Sequence, residues 1–171
     1  LLIRRCSGRL NEKEVGWLEG IENAAQRMET LVKDLLSLAN SGRRPTMLPV
    51  DCNRLVRHVI SDLQYQLTET GGTITHDSLP TIAGNPSQLS QLFQNLLGNA
   101  LKFNDEHAPI VHVGVKQSET DWTFYVRDNG IGIDPENHEQ VFRVFCRLHK
   151  SSEYPGTGVG LSICRKVVEQ H

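Results

Sequence analysis

A chain of 171 residues is long enough for one packed domain with an additional element, but short for two complete domains. The formal net charge of −2, with acidic and basic residues intermixed, excludes the strongly basic surface typical of nucleic-acid-binding proteins. No apolar run reaches the roughly 20 residues of a membrane-spanning helix, and the cysteines show no zinc-binding spacing. We therefore expect a cytoplasmic chain with reduced thiols, which would reach a membrane only through parts of the protein outside this sequence.

Residues 10–40 contain no proline, and their apolar residues recur at alternating steps of three and four. This heptad pattern predicts a long helix in a coiled coil or four-helix bundle, and therefore a homodimer formed through residues 18–39. The alternative is an amphipathic helix that lies on its own domain. The repeating positions are Leu18, Ile21, Ala25, Met28, Val32, Leu35 and Ala39.

A glycine and a proline in residues 41–45 mark the end of this helix. Residues 1–5 read as the end of a preceding helix, so we expect residues 1–42 to be the second half of a helical hairpin and residues 43–171 to be a separate domain.

In the second domain, the patterns predict both helices and strands, with a hairpin formed by the last two strands. The predicted strands are 47–50, 73–76, 110–115 and 122–126, the helices are 52–70, 87–103, 140–148 and 160–170, and residues 83–86 and 150–155 are a turn and a loop. Separate runs of helices and a mixed, largely antiparallel sheet indicate an α+β sandwich with helices on one face of the sheet.

The segment Asn-Leu-Leu-Gly-Asn-Ala-Leu-Lys-Phe at residues 95–103 places polar groups on one side of a predicted helix. Asn95 and Asn99 are four residues apart and share a face, and Lys102 follows three residues later. Amide oxygens are suitable ligands for Mg²⁺ that is bound mostly by phosphates and water, and the ammonium would balance phosphate charge. The alternative is the solvated side of an ordinary amphipathic helix.

Two glycine clusters follow. Asp128 lies at a strand end before Gly130 and Gly132, where a carboxylate can accept a hydrogen bond from the exocyclic amine of adenine, although a plain turn would have the same sequence. Residues 156–161 open the last helix, where backbone amides favour phosphate, and residues 150–155 would act as a lid. The glycine spacing matches neither the dinucleotide fingerprint nor a P-loop. The three segments together indicate a nucleotide site.

These motifs, taken in order, resemble those of sensor histidine kinases. Residues 95–103 resemble the N box, 128–133 the first glycine box, Phe142-Arg-Val-Phe145 the F box, and 156–161 the second glycine box. The resemblance covers residues 49–171, and the heptad helix is similar to the second helix of the dimerisation and phosphoacceptor domain. Arg147-Leu-His-Lys with Glu153-Tyr-Pro-Gly-Thr-Gly is most similar to the phytochrome-related branch.

The resemblance implies a Bergerat-type ATP-binding fold in which the Asp128 carboxylate receives the adenine amino group. It also implies that Asn95 and Asn99 hold Mg²⁺ and phosphate oxygens, that Lys102 contacts phosphate, and that Phe103 lies against the nucleotide. Asn95 and Lys102 would be the catalytic residues. The remaining residues that it places around ATP are Gly130, Gly132, Ile133, Arg147, Gly156, Thr157, Gly158, Val159, Gly160 and Leu161.

The implied activity is that of a protein-histidine kinase, which transfers the γ-phosphoryl group to a histidine for relay to an aspartate of a response regulator receiver domain. Related gyrase-type ATPases carry a glutamate in place of Asn95, whereas a carboxamide cannot serve as a general base. None of the seven histidines has the sequence context of the family's phosphoacceptor, so we expect that histidine outside this chain, and we expect the catalytic domain to be truncated at its C-terminus. The alternatives are a regulatory nucleotide-binding or dimerisation module and a hydrolytic ATPase.

Overall fold

The computed structural model describes residues 11–40, 46–105, 107–150, 153–154 and 156–171. Within the first helix, the side chains of residues 12, 23, 26, 27, 30, 33, 34 and 37–40 are outside the described part. The predicted helix end at residues 1–5 and the predicted domain boundary after residue 42 also lie outside the described residues.

Helices and strands follow one another along the described chain as the α+β prediction requires. In order they are helix α1 (Glu12–Asn40), strand β1 (Leu48–Asp51), helices α2 (Cys52–Asp62) and α3 (Gln64–Thr70), strands β2 (Thr73–His76) and β3 (Thr81–Gly84), helix α4 (Pro86–Lys102), strands β4 (Ile110–Gln117) and β5 (Trp122–Arg127), and helix α5 (Gly160–Gln170). No helix in these described ranges is both long enough and apolar enough to cross a membrane.

The strands form two sheets. The larger has the order β2-β4-β5, in which β2 is parallel to β4 and β4 is antiparallel to β5. The smaller is the antiparallel pair β1-β3. The mixed, largely antiparallel character of the prediction is therefore confirmed, and so is the β4-β5 hairpin.

Strand β3 corrects the prediction of a turn at residues 83–86. Ala83 and Gly84 pair with Pro49 and Leu48 of β1, so the turn composition of this segment is overridden by pairing with a distant strand. The turn-forming residues Asn85 and Pro86 instead begin α4, where the Asn85 side chain accepts a hydrogen bond from the Gln88 amide at 3.1 Å.

The helix predicted between residues 52 and 70 is divided into α2 and α3 at Leu63, whose backbone angles are φ −88° and ψ 3°. Leu63 is buried, so the break turns an apolar side chain into the core. The predicted ends are correct: Asp51 caps α2 by accepting from the Arg54 amide, and Gly71 ends α3 with a left-handed φ of 63°.

A second correction concerns residues 140–148, which do not form the predicted helix. Only short 3₁₀ turns, at Pro135–Asn137 and Gln140–Phe142, interrupt an irregular connection. Phe145 has a positive φ of 63°, which a helix does not allow, and its side chain is exposed. The apolar residues here therefore do not share one packed face, although their spacing is compatible with a helix.

Two apolar clusters hold the helices on one side of the larger sheet. The main cluster joins α2, α4 and the sheet through fully buried side chains such as Val56, Leu97 and Val111. The second consists of Val159, Ile163 and Val167 of the α5 region, with Leu31 of α1 and Leu92 of α4 packed against it. Helix α5 therefore contacts both α1 and α4.

The predicted heptad seam of α1 is largely exposed in the single chain. Ile21, Met28, Val32 and Leu35 are 53–65% exposed. Leu31 lies outside this seam and is the residue that packs against α5. Helix α1 thus contacts the α5 cluster through Leu31 and leaves most of the described seam side chains exposed.

Candidate functional site

A cavity of about 460 Å³ lies between the C-terminal half of α4, the end of β5 and the segment that precedes α5. It collects most of the predicted site residues, which are far apart in the sequence. Those that line it are Asn95, Asn99, Lys102, Phe103, Asp128, Gly132, Ile133, Arg147, Gly156, Thr157, Gly158, Gly160 and Leu161.

Gly130 and Val159 do not line the cavity. A side chain at Gly130 would place its Cβ 2.3 Å from the Phe103 carbonyl oxygen, so glycine here allows the chain after β5 to pass against the end of α4. The Ile131 amide donates to the same carbonyl at 3.1 Å. Val159 is fully buried in the cluster that anchors α5. These two residues therefore shape the cavity without forming its surface.

Asn95 is oriented by the first residue of α5. Its Nδ2 donates to the Gly160 carbonyl at 3.4 Å, and a Cβ at position 160 would lie 3.3 Å from Asn95 Oδ1. Asn99, one turn further along α4, lines the same cavity. The four-residue spacing therefore brings both carboxamides to one surface, as the sequence predicted.

Two cationic side chains lie on the cavity wall. Lys102 Nζ is 4.0 Å from the centroid of the Phe103 ring. Burial lowers the pKa of Lys102, and the nearby Arg147 guanidinium lowers it further. Both effects disfavour the ammonium, so an anion bound between these groups would relieve an electrostatic cost.

Asp128 directly follows β5 and lines the cavity. Its Oδ1 accepts a hydrogen bond from the Gly130 amide at 2.9 Å, which orients the carboxylate in an Asx-type turn. The turn and the site were alternatives in the sequence. The structure contains the turn and also places the carboxylate in the cavity.

One side of the cavity is closed by a cluster of aromatic and polar contacts around Tyr154. Its hydroxyl donates to the Asp105 carboxylate, and its ring lies 4.8 Å from Phe103 and 5.3 Å from His149, measured between centroids. The hydrogen bond with Asp105, followed by burial, raises the pKa of Tyr154 to about 12. Arg147 donates to the carbonyls of Tyr154 and Gly156, so its guanidinium holds these two residues at the cavity.

Sequence reasoning missed part of the lining. The additional residues are Leu96, Ala100, Val126, Ile131, Val141, Cys146, Leu148, His149 and Tyr154. Leu96 and Ala100 had a usable signal, because each follows a predicted asparagine on the same helix. Val141 and Cys146 had none, since the segment that carries them was predicted as a helix.

Comparison with known proteins gives one consistent result. Residues 84–171 match the family described as "Histidine kinase-, DNA gyrase B-, and HSP90-like ATPase". Cyanobacterial phytochrome A of Nostoc sp. (strain PCC 7120) is 43% identical over 84% of this chain, and the sensor histidine kinase CpxA of Escherichia coli (strain K12) is 32% identical over 99% of it. The crystal structure of full-length ShkA in complex with AMPPNP matches this chain with a TM-score of 0.75 and 25% identity. The match covers 95% of this chain and 35% of ShkA.

These matches agree with the resemblance found in the sequence, including its phytochrome-related branch. The chain spans only 19% of the length of the phytochrome and 37% of the length of CpxA. The relatives therefore contain much sequence that has no counterpart here.

Proposed function

Because this chain belongs to the family of histidine kinase-, DNA gyrase B- and HSP90-like ATPases, we propose that it is the catalytic region of an ATP-dependent protein-histidine kinase. One observation carries the proposal: a cavity that joins a carboxylate, two cations and a glycine-rich helix start is lined by Asn95, which is not an acid. The first three features fit ATP, and the fourth favours transfer to an acceptor over hydrolysis.

For the nucleotide, we assign the adenine to the end of the cavity at Asp128, where the carboxylate would accept a hydrogen bond from the exocyclic amine. The phosphates would lie near Lys102 and Arg147, whose mutual repulsion an anion relieves. The start of α5 lines the same cavity, and the backbone amides of a helix N-terminus favour negative charge. Phe103 would lie against the nucleotide.

The residues present fit Mg²⁺ held jointly with the phosphates. Asn95 and Asn99 offer neutral oxygen ligands on one surface, and Mg²⁺ commonly retains water and phosphate oxygens as its other ligands. When bound, the ion would supply charge neutralisation to the triphosphate. The Asn95 carboxamide is already held by Gly160, so its direction in the cavity is fixed before any ligand arrives.

The expected reaction depends on whether the site has a general base at Asn95. A carboxamide cannot take a proton from water, so the site has no general base at Asn95 and slow hydrolysis is expected. Phosphoryl transfer needs mainly positioning and charge stabilisation, which Lys102 and the helix start provide. We propose that a histidine outside this chain supplies the nucleophile and that the phosphoryl group then passes to an aspartate of a response regulator receiver domain.

We also propose that residues 1–42 belong to a dimerisation hairpin and residues 43–171 to the catalytic domain. The exposed apolar seam of α1 supports this division, because Ile21, Met28 and Val32 have no cover within the described chain. Burial of the seam against the same seam of a second copy would form a homodimer.

The test is transfer of ³²P from γ-labelled ATP to a helical hairpin domain that carries a histidine acceptor. We expect acid-labile, base-stable label on that domain, no label when its histidine is replaced by glutamine, and little label with Asn95→Ala. Nucleotide binding without transfer or hydrolysis would instead favour a regulatory module. Steady-state phosphate release without acceptor would favour a hydrolytic ATPase.

A further inference from the structure

Helices α4 and α5 are antiparallel and share a line of polar contacts. At one end, Asn95 donates to the Gly160 carbonyl. At the other, the Gln88 side chain donates to the Gln170 side chain at 2.8 Å. These two helices carry the carboxamides and the glycine-rich helix start of the proposed site. The position of one helix along the other therefore determines the geometry of the site.

His171 closes the seam at the end that is remote from the cavity. Its Nε2 lies 2.9 Å from the Asn85 backbone nitrogen, and its Nδ1 lies 2.8 Å from the Val167 carbonyl oxygen. A carbonyl can only accept and an amide can only donate, so Nδ1 carries the hydrogen and Nε2 is the acceptor. The imidazole therefore bridges the C-terminus of α5 to the start of α4.

Gly84 makes room for this bridge. A Cβ at position 84 would lie 3.1 Å from His171 Cδ2 and 2.6 Å from the Leu89 side chain. The Asn85 amide has its partner in His171, while the Asn85 side chain caps the helix through Gln88. The Asn85 carbonyl also accepts from the Leu89 amide at 3.0 Å, so Asn85 bonds to α4 through its side chain and carbonyl and to His171 through its amide.

We propose that His171 is a positioning residue for the nucleotide site, since its Nε2 fixes the register of α5 on α4 and thereby holds Gly160 beside Asn95. This inference rests on the proposed ATP site for its functional consequence. His171 touches none of the cavity, so it acts through the two helices and not on the ligand.

Three substitutions of His171 distinguish the contributions of its two imidazole nitrogen atoms. His171→Gln places an acceptor near the position of Nε2 and keeps the bond to Asn85. His171→Asn reaches only the position of Nδ1, so it retains the contact with Val167 and loses the bridge. His171→Ala loses both. His58→Gln is the matched control, because the His58 side chain is exposed and its Nε2 lies 3.8 Å from the Asp62 carboxylate, away from α5.

Three measurements on the whole chain decide the proposal. Without nucleotide, we expect the Asn85 amide to exchange about tenfold faster in the Asn and Ala variants, which corresponds to the loss of one hydrogen bond. In the same variants the side-chain NH₂ resonances of Asn95 should shift. With ATP, their dissociation constants should rise about three- to tenfold. The Gln variant and the His58 control should match the wild type in all three.

Faster exchange at Asn85 with unchanged Asn95 resonances and unchanged ATP affinity would reduce His171 to a local cap and overturn the proposal. Failure of the Gln variant to restore the wild-type values would overturn it as well. If the wild-type chain bound no nucleotide, the proposed function would fail, while the Asn85 exchange and Asn95 resonances would still test the bridge.

Discussion

Asn95 and Asp128 differ in charge, and that difference separates their roles in the proposed site. Asn95 is a neutral carboxamide held by the Gly160 carbonyl. Asp128 is a carboxylate that accepts from the Gly130 amide. Only the second can act purely as an acceptor toward an exocyclic amine, whereas the first can offer an oxygen ligand without serving as a base.

The role of Asp128 predicts selectivity among purines. Asp128→Asn should weaken ATP binding at least tenfold, because hydrogen bonds to charged groups contribute about 1.5–3 kcal/mol. Inosine triphosphate lacks the amine and should be affected much less. Calorimetry with both nucleotides measures the difference, and Asp62→Asn, at an exposed position of α2, is the control. An equal loss for both nucleotides would contradict the assignment of the adenine amine to Asp128.

The cysteines provide a second test at this scale. Burial raises the pKa of Cys52 to about 11 and that of Cys164 to about 12, whereas Cys146 is half-buried and lines the cavity. Thiolates are the reactive form, so iodoacetamide at pH 8 should modify Cys146 well before Cys52 and Cys164. A saturating ATP analogue should slow the modification of Cys146. Peptide mass spectrometry measures each rate, and equal rates at Cys146 with and without nucleotide would contradict the placement of the ligand.

The raised thiol pKa values also determine whether stability rises or falls with pH in the alkaline range. The folded state retains protons on Cys52 and Cys164 that the unfolded state loses above about 9, so the folded state binds more protons in that range. The stability contributed by these two groups is complete below pH 9 and falls as the pH rises toward 11 to 12.

At the scale of elements, α1 shows how neighbouring residues of one helix serve different contacts. Leu31 packs on the α5 cluster, while Val32 is 58% exposed in the predicted seam. A dimer through the seam and a contact with α5 are therefore compatible, because they use different faces of the same helix.

Substitutions at these two positions should separate the contacts. Val32→Glu should dissociate the proposed homodimer, since it places a charge in an apolar interface, and it should leave ATP affinity unchanged. Leu31→Ala should leave the dimer intact and weaken the packing of α5. Analytical ultracentrifugation and calorimetry measure both effects. The control is Lys13→Glu, which introduces the same side chain at an exposed position away from the seam. If Lys13→Glu weakened the dimer as much as Val32→Glu does, the seam would not be the interface.

The elements that the sequence predicted correctly carry their own signals. Helix α4 has a capping asparagine, a proline at its start and an unbroken apolar face. Strand β3 and the connection at residues 140–148 lack such signals. Strand β3 forms only through its pairing with β1. The connection at residues 140–148 is irregular, and some of its residues line the cavity.

At the scale of the whole molecule, α4 joins the core to the site. One face carries Phe93 and Leu97 into the main cluster, and the other presents Asn95 and Asn99 to the cavity. The stability of the fold and the geometry of the site therefore depend on the same helix.

Because of this dependence, we expect substitutions in the core to lower the stability of the whole fold substantially. Leu97 is fully buried, so Leu97→Ala should lower the free energy of unfolding by about 2–5 kcal/mol. Leu36→Ala, on an exposed face of α1, should change it by less than about 0.5 kcal/mol in the monomer. Urea titration followed by circular dichroism measures both values, and similar costs for the two variants would contradict the described core.

The sequence by itself determined which chemical groups lie close together: the spacing that puts Asn95, Asn99 and Lys102 on one helix, the carboxylate before the first glycines, and the Asp51 cap that starts α2. These are relations between near neighbours, and helical period and backbone sterics fix them locally. Only the tertiary structure decided that Gly130 supports the chain against Phe103, that Tyr154 meets Asp105, and that His171 bridges to Asn85. Those relations join residues distant in the chain, and they arise from the packing of whole elements, which no local pattern specifies.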